Sequence, residues 1–207
     1  MIFKTLIVGE LETNCYILGD EKTREGVVID PGGELKEIER AIEKLDLEIK
    51  YIILTHGHGD HIGVLSGLKK KTGAKILIHE EDAEMLSDPE KNLSVFSYTP
   101  ISAPEADRLL KDKDKIKIGQ IELEVLHTPG HTRGSISLGT DKVIFTGDLI
   151  FCGSVGRTDL PGGSYQKLLR SIQDEILDKG DDTVIYPGHG PSTTIGEERK
   201  NNPFLNL

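Results

Sequence analysis

His56, His58 and His61 stand with Asp60 in one hexapeptide, His-Gly-His-Gly-Asp-His. Imidazole and carboxylate at this density are the donor set of zinc, iron or manganese rather than of calcium. Residues 56 and 58 alternate onto one side of a tight loop, so both rings can meet one ion. Asp60 and His61 fall further round the turn, where they suit a second ion close by. Gly57 and Gly59 remove side chains that would crowd that approach. Packed this closely, the histidines would repel one another when protonated, a cost that a bound metal removes.

Three more polar residues repeat a single arrangement, a strand followed by a glycine-rich turn. They are His131 in HTPGHTRGS, Asp148 in FTGD and His189 in YPGHG. Any one of them alone reads as a turn residue; the repetition beside the hexapeptide makes them candidate ligands together. Thr55 and Asp30 are placed to hydrogen-bond the ligand histidines. His79, at the end of a strand, reads as structural or as part of a pocket rim. Cys15 and Cys152 lack an evident base and oxyanion hole, so they read as small apolar residues rather than nucleophiles. Arg157 is expected to pair with Asp159, with a substrate carboxylate as the alternative.

The elements that must position these groups follow from periodicity. FKTLIVG, NCYILGD and VVID predict β-strands over the first thirty residues. ELKEIERAIEKL places Leu35, Ile38, Ile42 and Leu45 at helical spacing. YIIL (51–54) predicts a buried strand that runs straight into the hexapeptide, and LSGLKKKTG a helix ended by Gly73. KILIH, IKIG, IELEVL, SISL, KVIFTG and TVIYPG predict further strands. SYQKLLRSIQDEIL predicts a helix with Tyr165, Leu168, Leu169, Ile172 and Ile176 on one face. Residues 87–114, with three prolines and the run KDKDK, show no period and predict a long loop or a loop with a short helix, either a lid or a surface insertion. Strand groups with interspersed helices predict an α/β layered fold.

The chain has 207 residues with a formal net charge of −10, a length that suits one domain spanning 1–207. The acidity counts against nucleic acid as a partner. Without a span-length apolar run or a signal-like N-terminus, the expectation is a cytoplasmic protein with no membrane partner. Two distant cysteines make no disulfide framework.

HGHGDH followed in order by His131, Asp148 and His189 resembles the metallo-β-lactamase superfamily over nearly the whole chain. That resemblance implies an αββα sandwich, two mixed β-sheets face to face with helices outside. It also implies two divalent ions (zinc, iron or manganese), one held by His56, His58 and His131, the other by Asp60, His61 and His189, with Asp148 bridging. His127 is then not a ligand. His58 stands where flavodiiron proteins carry Glu, and Asp148 where many true β-lactamases carry Cys. GDLIFCGSVGRTDLPGGSY, TNCY and NPFL are similar to glyoxalase II-like hydrolases. The resemblance therefore implies a thioester hydrolase for a small-molecule substrate such as hydroxyacylglutathione. A water shared by the two ions would supply the hydroxide, oriented by Asp60 as the catalytic residue. Two alternatives stay open. One is a mononuclear iron persulfide dioxygenase using His56, His131 and Asp148, since such enzymes also carry GRTD. The other is a nuclease of the same superfamily, which the acidic surface disfavours. Eighteen residues follow His189, with two basic ones, Arg199 and Lys200. Next to the longer glyoxalase II enzymes, that tail implies weak selectivity for glutathione.

Overall fold

The computed structural model describes residues 1–96, 99–140 and 142–205. Two six-stranded mixed sheets face each other, with helices on both outer sides. The first sheet has the order β1 (Ile2–Val8), β2 (Thr13–Gly19), β3 (Glu25–Ile29), β4 (Glu48–Ile53), β5 (Lys75–His79), β6 (Arg108–Leu110). The second runs β14 (Thr193–Thr194), β13 (Val184–Pro187), β10 (Val143–Gly147), β9 (Ile136–Gly139), β8 (Ile121–His127), β7 (Lys115–Ile118). A small hairpin, β11 (Ile150–Phe151) with β12 (Ser154–Val155), sits beside it. The expected αββα sandwich is the fold.

Alternation explains the layers. Every residue of β2 is buried, because its two faces enter two different cores. Tyr16 and Leu18 point between the sheets, where they meet Val27, Ile53, Val125, Leu138 and Phe145. Cys15 and Ile17 point outward under α1 (Leu35–Leu45) and α3 (Leu65–Thr72), which bury Ile38, Ile42, Leu65 and Leu68 against them. On the far side, Leu126, Ile144 and Ile185 pack under α4 (Tyr165–Ser171) and α5 (Ile195–Asn201). The edge strand β7 alternates exposed lysines with buried isoleucines, which discourages pairing with another chain. Gly73 ends α3 in the left-handed conformation, φ 70°, as its sequence position predicts.

Three sequence expectations need correction. The helix read over SYQKLLRSIQDEIL is α-helical only to Ser171 and continues as a π-helical turn, Ile172–Ile176. The wider turn keeps Leu168, Ile172 and Ile176 stacked on the core, while Tyr165 is exposed instead of facing inward. The stretch 87–114 holds a short helix, the 3₁₀ turn Ser94–Phe96, as one reading of it allows, but also an unexpected strand: β6 joins β5 in parallel, three residues being too few to show a period. Ser97 and Tyr98 of that stretch lie outside the described residues. Cys152 is exposed and only Cys15 is buried, both as free thiols. No helix among the described residues is long and apolar enough to cross a membrane.

The layout sets the site. β3 and β4 are parallel and end on the same side. β8, β10 and β13 also share one direction, two of them through the antiparallel intermediary β9. Asp30, the hexapeptide, His131, Asp148 and His189 all follow C-terminal strand ends, so they gather at one edge of the sandwich.

Phe3, Tyr16, Phe145 and Tyr186 form an aromatic cluster between the sheets, ring centroids 4.8–6.1 Å apart. Phe145 is fully buried in it. Phe145→Ala is expected to lower the unfolding free energy by about 3–5 kcal/mol, read from urea denaturation. A loss under about 1 kcal/mol would show that the sheets do not close on this cluster.

Candidate metal centre

The hexapeptide leaves β4 through Thr55, and α2 (Gly59–Ile62) starts within it, carrying Asp60 and His61 on one short turn. His131 arrives from the turn after β8, Asp148 from the turn after β10 and His189 from the turn after β13. All seven candidate ligands predicted from sequence come together. Their donor atoms form three overlapping groups: His56, His58 and His131; His56, His61 and Asp148; Asp60, His61 and His189. His58 Nδ1 lies 2.9 Å from His131 Nε2. Asp148 Oδ1 is 3.4 Å from His61 Nε2, and its Oδ2 is 3.6 Å from both His131 Nε2 and His189 Nε2. That carboxylate therefore touches both ends of the cluster.

Outer hydrogen bonds set how the rings face. His131 Nδ1 donates to the Arg157 carbonyl at 2.8 Å, and His189 Nδ1 to the Leu11 carbonyl at 2.9 Å. A carbonyl only accepts, so each Nδ1 carries a proton, and in the neutral ring the Nε2 lone pair turns inward. His61 Nδ1 donates to Asp30 Oδ2 at 3.0 Å. Asp30 also accepts from the Thr55 amide and hydroxyl, at 2.8 and 2.7 Å. With its proton so committed, Thr55 Oγ1 accepts from His56 Nδ1, 3.2 Å away. The inner atom, His56 Nε2, is buried with no hydrogen-bond partner, and so is Asp148 Oδ1. Orphaned buried donor atoms facing one another are costly unless something fills the space between them. Lone pairs of nitrogen and carboxylate oxygen suit a divalent transition metal.

Charge states differ across the cluster. Burial, then the neighbouring histidines, push the His56 imidazole well below its ordinary value. Burial and His131 bring that of His58 down to about 3. Both rings are neutral and free to ligate at physiological pH. Burial opposes charge on His61, yet Asp60, Asp148 and Asp30 together raise it well above the ordinary imidazole. Against the same cost, His61 and the hydrogen bond to His189 hold the Asp60 carboxyl below the usual range.

Several supporting residues were not assigned these contacts from sequence. Asp82, on a 3₁₀ helix (Glu80–Leu86), is buried and accepts from the Gly57 and Gly134 amides, at 3.2 and 2.7 Å, and from the Thr132 hydroxyl at 2.6 Å. It thus clamps the hexapeptide to the His131 turn. Asn14 Nδ2 donates to the carbonyls of Pro187 and Gly190, and Tyr16 Oη to that of Pro187. The TNCY motif therefore braces the His189 turn, while Thr13 Oγ1 reaches Asp60 Oδ2 at 3.4 Å. Gly57 and Gly59 do relieve crowding, but from Met85 and Ser94 rather than around an ion. At Gly188, by contrast, a Cβ would run into Asp148 Oδ1.

His127 and His79 stack on each other at 4.1 Å, outside the three ligand groups. His79 caps the 3₁₀ helix by accepting from the Glu81 amide. Arg157 pairs bidentately with Asp159, both bonds 2.8 Å. A cleft of about 810 Å³ opens onto His58, Asp60, His131, Asp148 and His189. Asn92, Leu93, Phe96 and Ile101, from the irregular stretch, form part of its wall.

The model of the metallo-beta-lactamase superfamily matches residues 8–189. The hydroxyacylglutathione hydrolase GloC of Haemophilus influenzae is 39% identical to this chain over 210 residues, covering 100% of this chain and 99% of that protein. Among solved structures, the BLEG-1 B3 metallo-beta-lactamase superposes with a TM-score of 0.94 at 37% identity, covering 100% of both chains. A di-iron-bound form of TTHA1623 superposes with a TM-score of 0.84 at 31% identity, covering 98% of this chain and 100% of that one.

A site with such orphaned donors should be stabilised by the ion it lacks in chelator. Added Zn²⁺ or Mn²⁺ at about 100 times Kd is expected to stabilise the chelated protein by about 2.7 kcal/mol. Because His61 sits above the ordinary imidazole value of 6.5, protons should begin to compete with the metal above pH 6.5. The checks are thermal melts across pH with and without metal, and with His56→Ala. An unchanged Tm, or an equal gain in His56→Ala, would refute a metal centre here.

Proposed function

The chain belongs to the metallo-beta-lactamase superfamily, and on that premise we propose that it is a dinuclear hydrolase of small-molecule thioesters. The observation that carries the reading is the pair of orphaned atoms: His56 Nε2 belongs to the triad with His58 and His131, and Asp148 Oδ1 lies 3.4 Å from His61 of the other triad. His56, His58 and His131 would hold one divalent ion, and Asp60, His61 and His189 the other. Asp148 would bridge them. A mononuclear iron oxygenase would need only His56, His131 and Asp148, and would leave the second triad without a task.

When bound, such ions lower the pKa of a shared water towards neutrality and polarise a substrate carbonyl. The protein's own groups do the rest. His56 and His61 lie beneath the cleft floor, whereas His58, Asp60, His131, Asp148 and His189 face it, so a thioester approaches from one side only. Asp60, kept ionised by His61 and His189, can orient the attacking water or take its proton. Asp30 and the two carbonyls that receive imidazole N–H bonds keep the lone pairs aimed inward through the reaction, so little reorganisation is required. A thiolate leaves without a strong general acid, so the reaction does not require one. The similarity to GloC supports a thioester as substrate, and that to TTHA1623 supports two ions. The similarity to BLEG-1 makes a β-lactam the comparison substrate.

Protein purified anaerobically without chelator is expected to hold close to two transition-metal ions per chain and to hydrolyse S-D-lactoylglutathione or a simpler thioester without oxygen. Asp148→Ala should lose both ions, whereas His189→Ala should keep one. Metal analysis and parallel thioesterase, β-lactamase and oxygen-electrode assays decide the matter. Rapid oxygen uptake with glutathione persulfide and negligible thioesterase activity would replace this reading with the oxygenase.

A further inference from the structure

The cleft above the metal centre is walled by hydrocarbon. Leu11, Phe96, Ile101, Phe151, Val155 and Leu160 line it. Two of these side chains are unusually bare for their type: Leu11 is 65% and Phe96 86% exposed. Leu11 is held where it is, because its carbonyl receives the Nδ1–H of His189. Phe151 and Val155 are held by the β11–β12 hairpin, which follows Asp148 directly. This part of the apolar wall, Leu11, Phe151 and Val155, is therefore tied to the turns that carry His189 and Asp148.

Charge in the cleft is equally specific. Among the described lining residues Arg157 is the one with a cationic side chain, and both of its bonds go to Asp159. The acidic groups are Glu10, Asp60 and Asp148. A glutathione conjugate would bring two carboxylates into this space, where among the described lining residues no uncommitted lysine or arginine meets them and where apolar walls make desolvating a charge costly. An uncharged hydrocarbon group would gain from the same walls.

We propose that this cleft selects thioesters with an uncharged, apolar group beside the scissile bond, such as medium-chain acyl groups on a small neutral thiol, over glutathione conjugates. The inference rests on the thioesterase reading but makes a claim about the walls that can be tested without turnover. The hydrocarbon can lie on the acyl side or on the thiol side, and the two series below tell these apart.

The first measurement is kcat/KM for acetyl, butanoyl and hexanoyl thioesters of N-acetylcysteamine, and for acetyl thioesters of ethane-, butane- and hexanethiol. In at least one series each added methylene should raise kcat/KM about two- to fourfold. Moving one acyl group from N-acetylcysteamine to glutathione should gain no more than about fivefold, the reach of exposed ion pairs. A double variant, Phe151→Ser with Leu160→Ser, should flatten the chain-length dependence, read as the ratio of hexanoyl to acetyl kcat/KM within the variant. Flat or falling rates in both series, or a hundredfold preference for glutathione, would overturn the proposal. The second measurement follows the Tm of the metal-loaded protein with butanoate, hexanoate and octanoate, and with the matching alkanethiols. Stabilisation that grows with chain length in the native protein, and not in the double variant, supports the apolar cleft even if no thioester is hydrolysed, an outcome that would defeat only the thioesterase reading. Hydrolysis without any chain-length effect in either measurement would defeat only the cleft proposal.

Discussion

The structure depends on the convergence of inward-facing lone pairs at one edge of a β-sandwich. Imidazoles and carboxylates from four separate turns are pressed into a space where His56 Nε2 and Asp148 Oδ1 have no hydrogen-bond partner. Removing that many polar atoms from water is unfavourable in itself. It is tolerable in a folded chain if a metal supplies the missing bonds. The rest of the architecture holds the rings against their tendency to turn away. Asp30 and Thr55 restrain His61 and His56, and the carbonyls of Arg157 and Leu11 restrain His131 and His189. Asp30 does this from a left-handed backbone, φ 52°, a strained conformation kept in place by the three bonds its carboxylate accepts.

The sandwich supplies what a single loop cannot. The hexapeptide belongs to the first sheet, while His131, Asp148 and His189 belong to the second, so the site exists only while the two sheets stay registered. The Ile136 amide donates to the Thr55 carbonyl across the junction. Asp82 ties the hexapeptide to the His131 turn, and Asn14 and Tyr16 tie β2 to the His189 turn. Packing between the sheets and geometry at the metal centre are thereby coupled. A substitution in the aromatic cluster would be felt at the His189 turn through Tyr16.

What the sequence made legible and what it hid differ for physical reasons. The seven polar residues could be found because chemistry crowds rare residue types into short glycine-rich turns after strands. Asp30 and Thr55 could be anticipated because they flank that motif on adjacent strand ends. Asp82 could not: it sits in an acidic run, EEDAE, where its neighbours are solvated, and only burial distinguishes it. Nor could the partners of His131 and His189, since they are backbone carbonyls, which every residue has. TNCY was visible as a family-like string, but its bracing role needed the fold. Leu168, Ile172 and Ile176 were assigned correctly to a core face, while the π-helical turn that keeps them there leaves no mark in the spacing. β6 is simply too short to announce itself.

A dinuclear centre would hold two ions between these residues, an oxygenase centre only one. The most direct measurement is anomalous diffraction at the metal edge, from crystals of protein purified anaerobically without chelator and shown to be active. A dinuclear centre predicts two peaks about 3.5–4 Å apart, one against His56, His58 and His131, the other against Asp60, His61 and His189, with Asp148 between them. A single fully occupied peak at His56, His131 and Asp148 in active protein, with the second triad empty, would contradict it.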